Sequence, residues 1–183
     1  MSTQVIKQSI PGGIHLLDPV HSSIRFAVSH NGLSVFRSGF GSYEARLIGG
    51  DAPRLEGTVD VSSIDARDEQ LKGHLLSPEF FDAELHPQLR FTSNQLSVDA
   101  DGSARVRGEL EIAGRKREVE AEGRLALLGA DLGGRPRVGL SLEASVDRRD
   151  FGLDWQAELP GGGPVLEYEV SIAVELELVK EGD

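Results

Sequence analysis

The chain has 183 residues with 30 acidic against 19 basic side chains, a formal net charge of −11. That balance argues against nucleic acid and anionic bilayers as general partners, since both reward a surplus of Lys and Arg, and the absence of Cys excludes disulfides, a thiolate nucleophile and Cys-ligated zinc. An apolar share of 39% and a mean hydropathy near −0.22 place it among soluble globular chains, away from disordered or membrane-spanning compositions.

Residues 1–13 carry one Lys and no long apolar run, so they read as a flexible arm without a secretory signal or anchor, which suggests the cytoplasm. They precede a single domain over 14–180. Alternation of apolar and polar residues, the period of a half-buried strand, then dominates the chain. In 22–30, Ile24, Phe26, Val28 and His30 share one face. A strand follows over 36–48, and 54–62 sets Leu55, Gly57, Val59 and Val61 against Glu56, Thr58 and Asp60. From 65 to 77 the period changes: Arg67, Leu71, His74 and Leu75 recur at helical spacing, Asp68 and Lys72 form an i,i+4 pair, and Ser77-Pro78 ends a short helical insertion. Strands resume over 89–98, 104–112, 117–127, 138–146 and 166–178. The last alternates Leu166, Tyr168, Val170, Ile172, Val174, Leu176 and Leu178 with a glutamate row. Gly- and Pro-rich turns separate the runs. About eight strands joined by short connections predict an all-β fold, an elongated eight-stranded antiparallel β-barrel that either fills with side chains or holds one small ligand.

The five histidines form no HxH, HxxxH or HExxH pair, and no metal site or cofactor is expected. His30 lies on apolar parity at a strand end, where a satisfied or rim histidine is favoured over a ligand contact, and both over a metal ligand. Asp18-Pro19-Val20-His21-Ser22 invites a hydrolase reading, but no nucleophile elbow surrounds Ser22, and a turn before a strand is the favoured alternative. Asp99-Ala100-Asp101-Gly102 lacks the remaining ligands of a calcium loop and reads as a hairpin turn. Arg67, Asp68 and His74 on the insertion are either a capping and ion-pair cluster or the anchor of a polar headgroup.

Three stretches resemble the YceI family of bacterial lipid-binding proteins: Asp18 to Phe26 with His30, Gly39-Phe40 and Tyr43; Ser63 to Asp82 with Pro87 to Phe91; and Gly108 to Gly114 with Arg148 to Leu153. The resemblance implies a lipocalin-like barrel whose interior takes a polyisoprenoid, fatty-acid-type or other long-chain lipid, often in a homodimer. Many relatives carry an export signal. On this reading the tail meets Phe26, Val28, Phe36, Phe40, Phe81, Phe91, Leu110, Leu142, Trp155, Tyr168 and Ile172, with His30, Arg67, Asp68 and His74 at the polar end. Inward glycines at 57, 108 and 123 leave it room. The expected protein is a carrier or sequestering protein without catalytic residues. The alternatives are a hydrolase or isomerase using His30 as general base in the same cavity, and a sealed structural β-domain.

Overall fold

The computed structural model describes residues 8–182. Ten strands form one antiparallel sheet: β1 (Gly13–Leu17), β2 (Ser23–His30), β3 (Ser34–Phe40), β4 (Tyr43–Gly49), β5 (Arg54–Asp60), β6 (Gln88–Val98), β7 (Ser103–Ile112), β8 (Arg115–Leu128), β9 (Arg137–Asp147) and β10 (Glu169–Lys180). Four of these segments are halves of two broken strands. β1 and β2 both pair with β10, through Leu16↔Val179 and Phe26↔Ile172, and are separated by a single 3-10 turn at Pro19–His21. β4 pairs with β1 and β3 pairs with β2. The ten segments therefore make eight staves of a closed up-and-down barrel, and the β1–β10 pairing seals the seam that an open sheet would leave as an edge.

Each break has a local cause. Pro19 opens the 3-10 turn, and the Asp18 side chain accepts from Val20 N at 3.0 Å. The strand expected unbroken over 36–48 divides at Gly41–Ser42, because Gly41 N and Ser42 N turn aside to Ser63 O and Ser63 Oγ. Residues 63–65 then continue the wall beside β3, with Asp65 N donating to Gly39 O and Ser38 Oγ to Asp65 O. That attachment also shortens the helix expected over 65–77: α1 spans Glu69–Leu76 and starts where Asp68 caps it, accepting from Leu71 N at 2.8 Å. Asp68 thus serves the cap, in place of the expected pair with Lys72. Gly102 N closes the β6–β7 turn onto Asp99 O, as the turn reading of 99–102 expects.

Outward residues are the charged rows. Arg107 reaches Glu120 at 2.9 Å and Lys116 reaches Glu109 at 3.1 Å across neighbouring strands, exposed pairs of small energetic weight. Inward residues divide into two clusters along the barrel. One is aliphatic and close-packed, with Leu47, Val106, Leu178, Val138 and Leu140 between 0% and 1% exposed; the other gathers Phe40, Phe80, Phe81 and Phe151 under α1 and the segment after β9.

Of the arm expected over 1–13, residues 1–7 lie outside the described residues. Residues 8–12 are held against the barrel: Gln8 N donates to Val98 O, Gly50 N donates to Ile10 O, and Ile10 belongs to the aliphatic cluster at 3% exposure. Among the described residues no helix is long and apolar enough to cross a membrane.

Candidate functional site

The aromatic half of the barrel is hollow. Its cavity of about 900 Å³ lies within the size range of small-molecule sites. Alternate residues of the staves make the wall, among them Phe26 and Val28 from β2, Phe36 and Phe40 from β3, Val59 from β5, Phe91 from β6, Leu110 from β7, Leu142 from β9 and Ile172 from β10. α1 and the turn after it add Leu75, Phe80 and Phe81, and the segment after β9 adds Leu153 and Trp155. Phe26, Phe40 and Phe81 meet with ring centroids 5.8 to 6.5 Å apart, and Phe36 packs on Phe26 at 6.2 Å, tilted or edge-on arrangements that leave ring faces free for an apolar guest.

Apolar side chains dominate this wall, and the polar residues that border it include Arg25, Arg37, Asp65 and Arg90 as well as His30, Arg67 and His74. His30 and Arg67 are exposed, and His30 forms a backbone bridge to Leu166. His74 is held edge-on against Phe80 at 4.9 Å and Trp155 at 5.2 Å, with Nε2 2.7 Å from Glu79 Oε2. Two residues expected at the site lie outside the wall. Asp68 caps α1, and Tyr168 lies beneath the guanidinium groups of Arg148 and Arg149 at 4.7 and 4.0 Å, because β10 begins only at Glu169 and does not carry strand parity back to it.

Two of the three inward glycines also act otherwise than expected. Gly57 borders the cavity, with its nearest neighbour 3.4 Å from a Cβ position. At Gly108 a Cβ would stand 2.7 Å from Phe91 Cζ and 2.4 Å from Thr92 O, and at Gly123 1.8 Å from Ser141 O. These glycines admit a ring and a neighbouring backbone, leaving no space for a tail.

The sequence reading missed Arg148. It is 5% exposed, lines the cavity, and donates from Nε to Glu167 O (2.9 Å), from Nη1 to Leu153 O (2.6 Å) and Trp155 O (2.8 Å), and from Nη2 to Leu166 O (3.0 Å). Burial lowers its pKa from the ordinary value, against the pull of the Tyr168 and Asp147 groups. Four carbonyl dipoles thus compensate a buried charge and fasten the 153–167 segment, which brings Trp155 and Leu166 to the cavity. Gln156 reinforces it, donating from Nε2 to Leu166 O and accepting from Leu166 N. The signal was in the sequence: the inward parity of 138, 140, 142, 144 and 146 runs on to 148.

Outside the cavity, the Asp18–Ser22 motif builds a latch across the seam. Asp18 Oδ2 lies 2.9 Å from His21 Nδ1 and 2.8 Å from Arg137 Nη1, which also reaches Glu177 Oε1 at 2.7 Å, while Arg137 Nε holds Asp131 at 2.7 Å. Hydrogen bonds from His21 and then Arg137 hold the Asp18 carboxyl well below the usual range, and the same contact raises His21 above its ordinary value. Backbone donation from Arg135, with Arg137, brings Asp131 down to about 2. Asp18, His21 and Glu177 are close enough to share a cation, but the Arg137 guanidinium already bridges the two carboxylates. Ser22 Oγ donates to Asp18 O and accepts from Glu177 N, a backbone tie in keeping with the turn reading.

The fold and cavity define a class, the hollow eight-stranded up-and-down barrel with an apolar interior site. The YceI-like domain model matches residues 16–178, and the chain belongs to that family. Among its relatives, a UPF0312 protein of Pectobacterium atrosepticum is 27% identical over 159 residues, covering 85% of this chain and 80% of that protein. Protein YceI of Escherichia coli O157:H7 is 26% identical over 165 residues, covering 88% and 83%. Among solved structures, BcnA of Burkholderia cenocepacia superimposes with a TM-score of 0.73 at 21% identity over 88% of this chain and 98% of that one. A Saccharophagus degradans domain described as polyisoprenoid-binding gives 0.62 at 14% identity over 93% and 100%.

Proposed function

We propose that this protein binds one long-chain amphiphile of the polyisoprenoid or fatty-acid type, with its tail in the hollow half of the barrel, and transports, stores or sequesters it without chemical change. The observation that carries this reading is the cavity of about 900 Å³ walled by aliphatic and aromatic side chains. The polyisoprenoid-binding description of the Saccharophagus degradans neighbour supports the ligand class. On β10 the wall runs six residues, from Val170 to Leu176, and the 153–167 segment continues it outward. The strand part is about 20 Å long, about 15 Å along an axis tilted by about 40°. An extended run of about twelve tail carbons fits that depth, with the rest of the chain and the headgroup at the outer segment. Burying about 400 Å² of such a tail is worth on the order of 10 kcal/mol before the costs of association. His30, Arg67 and His74 stand among the polar residues that border the cavity and are the ones assigned to its polar end.

Trp155 is the single Trp of the chain and stands in the cavity wall, so its emission reports occupancy. Delipidated protein titrated with a C18 fatty acid or an all-trans prenol is expected to show a saturable one-to-one change in Trp155 emission. A flat response to both ligand classes overturns the reading.

A further inference from the structure

The cavity stops partway down the barrel. Leu55, Val106, Leu142 and Leu176 belong to the close-packed aliphatic cluster and also border the cavity, so they mark its floor. Phe91 packs against that same cluster and, among the described residues, is the one aromatic that does so. Its ring lies over Gly108, the residue of β7 between Val106 and Leu110 on the inward face, where a Cβ would stand 2.7 Å from Phe91 Cζ. Gly108 is thus a seat that lets a β6 ring reach across the neighbouring strand at the depth where the hollow half ends.

We propose that Phe91, seated on Gly108, is the stop that sets the longest tail the cavity accepts. This rests on the amphiphile-binding reading and deepens it. Below the limit, each methylene added to a tail enters apolar space and tightens binding about fourfold. Beyond it, a further carbon has to displace a ring backed by close-packed side chains, or else leave the headgroup end unseated, and affinity falls. Phe91→Ala removes about 100 Å³ of side chain, room for about four methylenes. Ala121 borders the same depth from β8, opposite Val106, and enlarging it to Leu fills space equal to about three methylenes.

The test uses delipidated wild type, Phe91→Ala and Ala121→Leu titrated with saturated fatty acids from C12 to C22, reading Trp155 emission. Far-UV circular dichroism verifies folding, and Phe91→Val, with an expected shift of about two carbons, replaces the Ala variant if that one does not fold. The expected result is a sharp affinity maximum that moves about four carbons longer in Phe91→Ala and about three shorter in Ala121→Leu. An unmoved maximum in wild type and variants overturns the gauge while leaving amphiphile binding intact. No binding by wild type at any length overturns the amphiphile reading, and the gauge with it.

Discussion

Replacing Leu140 by Ala and, separately, Leu110 by Ala contrasts the two halves of the barrel with the same chemical deletion. Leu140 is 1% exposed and stands between Leu125 on β8 and Leu176 on β10 in the close-packed cluster, so three carbons are lost from a site whose neighbours are fixed by the strand ladder. Such deletions cost 2–5 kcal/mol, and a rigid surround puts Leu140 at about 3–4 kcal/mol. Leu110 lines the cavity and is only partly buried, so it already lacks packing partners on its inner side. Its deletion widens an existing space and is expected to cost about 1 kcal/mol. Urea unfolding of delipidated protein followed by circular dichroism gives both values by linear extrapolation. For a chain of this size the difference corresponds to roughly 5–10 °C in Tm. Equal costs within about 0.5 kcal/mol would refute the division into a solid and a hollow half.

Arg148→Met removes the side-chain donor of the Leu153, Trp155 and Glu167 carbonyls and one of the two donors to Leu166 O, and is expected to cost about 3 kcal/mol or more and to expose Trp155, seen as a red shift in its emission. Asp18 and Asp131 titrate lower in the folded chain than in the unfolded one. Their contribution is therefore present above about pH 4 and lost as pH falls toward 2, so acid unfolding should be flattened in Arg137→Gln, measured as Tm against pH. His21 has the opposite sign: its raised pKa contributes stability below about pH 6.5 that is lost as pH rises through the folded value, and Asp18→Asn should return its NMR titration toward the ordinary range. Gly123→Ala drives a Cβ into Ser141 O and should separate β8 from β9, read as loss of soluble folded protein; a normally folded Ala variant would contradict the close strand approach.

Parity along the strands was the readable part of this molecule. Leu110, Leu142 and Ile172 are apolar at period two, and each borders the cavity as that pattern predicts. The short motifs around Asp18, Ser63 and Arg148 carried the family. Distances across the barrel were not readable. Gly57, Gly108 and Gly123 all obey inward parity, yet only the first borders open space, because how near the next strand or ring approaches depends on twist and on the bulge between Ser93 and Gln95. Breaks were equally hidden: the partner that splits β3 from β4 is Ser63, more than twenty residues on. The hollow itself is a consequence of closure. Apolar residues that would fill a core in a flatter sheet line a void where the staves stand apart, and alternation alone does not distinguish the two.

Native mass spectrometry of protein purified without detergent and sprayed intact tests the central claim most directly. Binding of a long-chain amphiphile predicts a population heavier than the bare chain by one ligand, released by organic extraction as a hydrophobic molecule with a single long tail. A chain mass without adduct, in a protein that also takes up no added fatty acid or prenol, would contradict it.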